Sequence, residues 1–351
     1  MSKAGHTGSN EAARQRLQMA DIARLAGVST ATVSRALNNS PLVNQETRTR
    51  ILELAASLKY SINIGAQNLR LKQNRTVGVL IPFDPRTHQS LTDPFLLAML
   101  GSLADALTER GFDMLFSRIG TDEIGLAAAS YDSGRVIGII MVGQWGRHQE
   151  LNALAARKVP LVVWGAQLPQ QLYCCVGSDN VNGGRLATEH LIAQGRRRIA
   201  FFGDSALPEP AQRYRGYCEA LARHGIAVDP RLQVSCSFLP EGGHEAVAAL
   251  AARGVDYDAV FACSDLIAMT AIDSLRSLGR HVPDEVAVVG YDDIDQASWF
   301  HPRLTTVRQP IGAAGRALVD ALLAQVEGGA ALSAELPTEL VIRASAGETA
   351  T

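Results

Sequence analysis

The segment "MADIARLAGVSTATVSRALNN", residues 19–39, restricts this chain more than any other. Ile22, Ala23 and Ala26 recur at helical spacing, Gly27 breaks that helix, Val28 is apolar enough to seal the turn, and Ser29 can cap a second helix running to about Leu37. Two short helices joined by a tight turn containing Gly form a helix-turn-helix. On the second helix Val33, Ala36 and Leu37 make the inward stripe. At roughly 100° per residue, Ala31, Ser34, Arg35 and Asn38 fall on the opposite side, with Thr30 at the N-terminal edge. That outward face is small, hydroxylated and basic, a composition suited to a DNA major groove. A third helix follows, with Asn44 as N-cap, Glu46 in the first turn, and Ile51, Leu54, Ala55 and Leu58 spaced i, i+3, i+4, i+7.

Charge is distributed to match. Residues 1–75 carry 11 Lys and Arg against 4 Asp and Glu, a net of +7, while the other 276 residues carry 22 against 31, a net of -9. A basic head on an acidic body is the footprint of a protein that meets nucleic acid with one end only. No stretch reaches the roughly 18 apolar residues of a membrane span. The polar opening "MSKAGHTGSNEAARQR" has no secretory core and is expected to be a disordered tail over 1–16. Five cysteines, an odd number without zinc-ligand spacing, suit buried thiols in a reducing cytoplasm.

From Thr76 the pattern becomes short apolar runs alternating with amphipathic stretches: "TVGVLIPF", "FDMLFSRI", "VIGIIMVG", "PLVVWG", "RIAFFG", "LQVSCSF", "AVFACS" and "VAVVGYDD". Helices are expected between them, for instance near 95–110 and 241–252. Such alternation predicts α/β architecture with parallel sheets covered on both faces, and eight strands suit two similar lobes with a cleft better than one open sheet. Ligands of open α/β sheets bind beyond the carboxyl ends of the strands. Those ends carry Phe83, Trp164, Phe238, Asp265 and Asp292. Carboxylates accept hydrogen bonds from adjacent hydroxyls and aromatic faces cover a sugar's C–H face, so a polyhydroxylated ring fits this set.

The strings "DIARLAGVSTATVSRALNNSPLVNQETRTRILELAASLKY" and "AQNLRLKQNRTVGVLIP" strongly resemble the lactose/galactose repressor family (LacI/GalR), and a looser resemblance extends to the C-terminus. The resemblance implies a head at 17–60, a hinge at 61–75, and a periplasmic-binding-protein-like body. Its first lobe would comprise 76–166 and 310–337, its second 167–309 and 338–351, with passages near 166, 310 and 337. Thr30, Ala31 and Arg35 would then occupy base-reading positions, and Thr32, Ser34 and Asn38 would hold phosphates. Leu69 would be a wedge entering the minor groove from the hinge. Arg213, three residues before Gly216, matches the family's effector-clamping arginine, Asp292 its effector-binding aspartate, and Phe95 and Phe238 its cleft aromatics.

The chain departs from that pattern at Gln18, where a Ser or Thr cap is usual, and at Ile62, where Pro is usual. Gly65 weakens a hinge helix by about 1 kcal/mol relative to Ala. Gly165 stands where several sugar-responsive relatives carry an aspartate. The expected partners are a near-palindromic operator, a sugar-like effector, and a second copy of the chain, as a dimer or tetramer; no membrane, cofactor or metal is expected. Repressor or activator, inducer or corepressor, and sugar or purine effector stay open. An extracellular solute-binding protein fits the body but not the head. Enzyme function finds no P-loop, G-x-S-x-G or H-E-x-x-H string.

Overall fold

A computed structural model of the chain describes residues 19–37, 40–58, 74–83 and 90–347. The chain divides into a head within residues 1–73 and a body, 74–351. In the head, helix α1 (Met19–Ala26), α2 (Thr30–Leu37) and α3 (Gln45–Ser57) close on Ile22, Val33 and Ile51, all fully buried, with Ala23, Ala36, Val43 and Ala55 between them. Truncating one such isoleucine in a core this small costs about 2–5 kcal/mol, a large part of any small domain's stability. Gly27 adopts φ +67°, and the N–H groups of Gly27 and Val28 return to the carbonyls of Arg24 and Ala23, a Schellman closure of α1 that a Cβ would strain. The Ser29 hydroxyl accepts from Thr32 N at 3.1 Å and Asn44 Oδ1 from Thr47 N at 2.8 Å, capping α2 and α3.

Two of the head's cations are engaged internally. Arg48 donates to the carbonyls of Ser40 (2.7 Å) and Val43 (3.1 Å), and Arg50 donates to Ala26 O at 3.2 Å, at the carbonyl end of α1. The positive charge that marks the head in the sequence therefore partly serves its own loops.

The body contains two six-stranded sheets. The first runs β11–β5–β4–β3–β1–β2, from strands β1 (Thr76–Phe83), β2 (Asp113–Gly120), β3 (Ile139–Val142), β4 (Leu161–Trp164), β5 (Cys174–Ser178) and β11 (Ala334–Leu336). The second runs β12–β10–β9–β8–β6–β7, from β6 (Ile199–Phe202), β7 (Gln233–Val234), β8 (Ala259–Ala262), β9 (Ala287–Asp292), β10 (Thr305–Arg308) and β12 (Glu339–Val341). All pairings are parallel except that of β12 with β10. Register places Val79 beside both Phe116 and Ile140, so β1 is central and both its faces are buried.

Each of the eight expected runs contains a strand, although "LQVSCSF" keeps only Gln233–Val234, and four more strands join them. The strand "CCVGS" overturns one boundary: β5 belongs to the first sheet, so the chain first passes to the second lobe after Ser178 rather than near 166. The other passages follow Arg308 and Leu336. β5 reads weakly because two cysteines and a glycine replace the β-branched residues that mark a strand. The glycine is required there, since a Cβ on Gly177 would lie 1.8 Å from the Gly165 carbonyl oxygen.

Helices α4 (Pro94–Glu109), α5 (Ala129–Asp132), α6 (His148–Ala156) and, after the second passage, α12 (Ile311–Val326) belong with the first sheet. Helices α7 (Asn180–Ala193), α8 (Pro208–Arg223), α9 (Glu241–Arg253), α10 (Asp265–Ser277) and α11 (Asp295–Trp299) belong with the second. Among the described residues no helix is long and apolar enough to cross a membrane, and all five cysteines are free thiols.

Candidate functional site

The strand orders reverse between β1 and β3 in the first sheet and between β6 and β8 in the second, the points where α/β sheets open a crevice. A cleft open to solvent lies at these carboxyl ends. From the first lobe Asp93, Phe95, Gln144, Trp145 and Trp164 line it; from the second come Glu209, Arg213, Phe238, Ser264 and Asp292, with Gln309 from the second passage.

Arg213 is brought there by helix packing. α7 and α8 approach so closely that a Cβ on Gly184 would sit 2.1 Å from Arg213 O, and one on Gly216 would sit 2.0 Å from Val181 O. This contact sets Arg213 Nε against Asn180 Oδ1 at 2.8 Å, while its Nη1 donates to the Cys263 carbonyl and the guanidinium stacks 3.7 Å above the Tyr291 ring. Only 5% of Arg213 is exposed. Two of its three nitrogens are thus anchored, and Arg213 forms part of the cleft lining.

Asp292 ends β9 at φ +122°, followed by Asp293 at φ +58°, a backbone path that non-glycine residues seldom adopt. The path is held by Asp293, whose carboxylate accepts from Arg308 Nε (2.7 Å) and Arg343 Nη2 (2.6 Å). Asp292 is thereby turned into the cleft, where Gln309 Nε2 donates to it at 2.7 Å. Burial pushes its carboxyl up to about 7, with Arg213 pulling down and Asp93 pushing further up. Phe95 and Trp164 form a tilted pair, centroids 6.5 Å apart, on the first-lobe wall. Trp145, beside them, was not singled out in the sequence.

Residues 18–63 match the lacI family of bacterial regulatory proteins, and residues 188–346 match the periplasmic binding protein-like domain. The HTH-type transcriptional regulator CelR of Thermobifida fusca is 34% identical over 340 residues, 95% of this chain and 99% of that protein.

The chain belongs to the lacI family.

The HTH-type regulator GalR of Escherichia coli (strain K12) is 32% identical over 83% of this chain and 84% of its own length. Among solved structures, a lac repressor dimer bound to operator and the anti-inducer ONPF superposes with a TM-score of 0.83 at 26% identity, covering 95% of this chain and 99% of that one. A CelR–cellobiose complex gives 0.71 at 32% identity, over 94% and 100%. The fold is thus a helix-turn-helix head with a periplasmic-binding-protein-like body, and the protein is a DNA-binding transcriptional regulator.

Within this family framework the expected site residues separate. Arg213, Asp292, Phe238, Phe95 and Trp164 meet in the cleft. Asp265 does not: it is fully buried, accepting from Ile294 N at 2.9 Å and from the Thr306 hydroxyl, and burial beside Asp292 raises its carboxyl well above the ordinary range. It supports the turn that presents Asp292. Phe83 is also not in the lining; the Arg118 guanidinium covers its ring at 4.2 Å. Asp93 and Glu209, absent from the sequence reading, are in the lining, as are Gln144 and Gln309. An acidic residue at a helix start signals an N-cap, which Asp93 is, so nothing local marked either carboxylate as facing a ligand.

The Gly165 departure has a structural counterpart. Gln144 lies over it, so a Cβ at 165 would be 2.7 Å from Gln144 Cδ. The Gln144 amide is held by Ala166 N (3.0 Å), Ala166 O (2.7 Å) and the Tyr173 hydroxyl (2.8 Å).

In the head, Thr30, Ala31 and Arg35 are exposed on α2, with Thr32 and Ser34 half-buried. Arg35's side chain makes no hydrogen bond or ion pair with any described residue. The Thr32 hydroxyl already pairs with Ser29 at 2.9 Å. Asn38, Leu69, Gln18, Ile62 and Gly65 lie outside the described residues.

Proposed function

We propose that this protein is a cytoplasmic, homodimeric repressor of carbohydrate-use genes that releases its operator when a sugar occupies the cleft. The observation that carries the reading is the meeting of Arg213 and Asp292 with Phe95, Trp164 and Phe238 in one crevice, a clamp for hydroxyls between aromatic faces. The names of its relatives support it: CelR, the ribose operon repressor of Haemophilus influenzae, 30% identical, and GalR. Thr30, Ala31 and Arg35 read bases; Thr32, Ser34 and Asn38 meet phosphates; Leu69, in the hinge 61–75, wedges the central base step. A two-fold dimer on this plan recognises a near-palindrome of about 14–20 base pairs. Sugar binding draws the lobes together and shifts the first lobes of the dimer, and with them the separation of the two hinges.

Titration of operator binding by fluorescence anisotropy against a panel of mono- and disaccharides tests this. An active sugar lowers operator affinity about 5–150-fold. Arg213→Ala and Asp292→Ala abolish that response and leave unliganded operator binding intact. A wild-type response in both variants overturns the cleft assignment, and a response to nucleobases alone overturns the ligand class.

A further inference from the structure

Three of the helices that begin at the cleft carry one of the chain's own carboxylates at the start. Asp93 caps α4, its Oδ1 accepting from Phe95 N at 2.9 Å and Leu96 N at 3.4 Å. Glu209 is the second residue of α8, and Asp265 the first of α10, with Ser264 and Leu266 in the cleft wall on either side of it. Helix N-termini are ready-made anion sites because their N–H groups are unpaired and the dipole favours negative charge. At α4 those N–H groups are met from inside the protein by Asp93, and at α10 the Ser264 hydroxyl accepts from Ile267 N at 3.3 Å.

The donors of the cleft are depleted in the same way. The Gln144 amide is bonded to Ala166 and Tyr173. The Gln309 amide is bonded to Ser178 at 2.7 Å and to Asp292 at 2.7 Å. Among the described residues of the lining, Arg213 is the one charged donor against the carboxylates of Asp93, Glu209 and Asp292, and none of these three is in an ion pair with a described residue. The Arg213 guanidinium is itself turned toward Asn180 and the Cys263 carbonyl. Burial raises the carboxyls of Asp93 and Glu209 above the ordinary range, while backbone N–H groups pull both the other way.

We propose that the cleft selects an uncharged, hydroxyl-rich sugar and rejects its uronate and phosphate forms, with Asp93 and Glu209 as the excluding residues. This rests on the sugar reading above and narrows it. Hydroxyls donate to the three carboxylates, whereas a carboxylate or phosphate brings further acceptors and a like charge into a partly desolvated site.

Isothermal titration of the full chain with matched series tests it: glucose, glucuronate and glucose 6-phosphate, and cellobiose with its uronic acid. Each neutral sugar that binds is expected to bind at least about tenfold tighter than its anionic counterparts at low salt, because like charges a few ångströms apart repel strongly in such a site. Glu209→Gln, which keeps shape and size, narrows that gap by raising the affinity for the anion; Asp93→Asn, which keeps the cap, does the same and serves if the first variant folds poorly. An anion that binds wild type as tightly as its neutral parent overturns the exclusion and leaves the sugar reading standing. A panel in which no neutral sugar binds overturns both.

Discussion

Gln309 Nε2 donates to the Asp292 carboxylate at 2.7 Å. The other end of the same amide accepts from the Ser178 hydroxyl, also at 2.7 Å. Ser178 closes β5 just before the first passage between lobes, and Gln309 stands in the second. The third is attached as well, through Thr338, whose hydroxyl donates to Asp179 O at 3.2 Å. A ligand that engages Asp292 therefore competes for a bond that leads directly into the connections between the lobes. Gln309→Leu leaves a buried hydroxyl and a carboxylate without their partner. It should cost about 1–3 kcal/mol in denaturant unfolding and weaken the dependence of operator affinity on effector. A variant with unchanged stability and full effector response would remove Gln309 from this path.

Asp292 also makes stability depend on pH. Its ordinary value is 3.8, and burial pushes it to about 7 in the folded chain. Between those values the folded protein holds a proton that the unfolded chain releases, so stability falls as pH rises from about 4 to about 7. Asp292→Asn removes that loss. In thermal melts from pH 4.5 to 8.5 the variant should gain on wild type with rising pH until about 7 and then run parallel. Effector hydroxyls bond best to the ionised carboxylate, so wild-type effector affinity should decline below pH 7. Parallel melting curves across the whole range would contradict the assignment.

Gly165 and Gln144 should behave as a coupled pair. Gly165→Asp places a side chain 2.7 Å from Gln144 Cδ, in a wall whose amide is pinned by three hydrogen bonds, and should cost about 1–3 kcal/mol. Adding Gln144→Ala makes room, and the double variant should be less destabilised than the sum of the single changes. Strict additivity in a denaturant double-mutant cycle would show that the two do not interact.

Arg35 is exposed on α2 and bound to no described neighbour, so its replacement tests recognition without disturbing the head's core. Arg35→Ala should weaken operator binding by about 1–3 kcal/mol and relax preference at one base position per half-site. Binding weakened equally on all sequences, with a shallower salt dependence, would place Arg35 on phosphate instead.

Much of this was legible in the residue order. A helix-turn-helix is a local object: the spacing of Ile22, Ala23, Ala26, Val33 and Ala36 sets its buried face, and Gly27 supplies the backbone conformation its turn needs. Six of the eight strands announced themselves because a central parallel strand is apolar on both faces, whereas β2 and β7 lie at sheet edges. Arg213 could be found because the local string around Gly216 resembles the family's, and a resemblance of that kind lies along one helix. Other features had no local signature. β5 is a strand because it lies between β4 and β11, and its cysteines and glycine say little alone. Asp265 and Asp292 both sit at strand ends, yet one points under the turn toward Thr306 and the other into the cleft, a choice made by the left-handed path at Asp292 and Asp293 and by Arg308 and Arg343 holding it. Asp93 and Glu209 look in sequence like ordinary helix-start acids. They become cleft carboxylates only because two separate sheets bring the starts of α4 and α8 to one crevice, and that juxtaposition is set by contacts between residues more than a hundred positions apart, which no periodicity along the chain records.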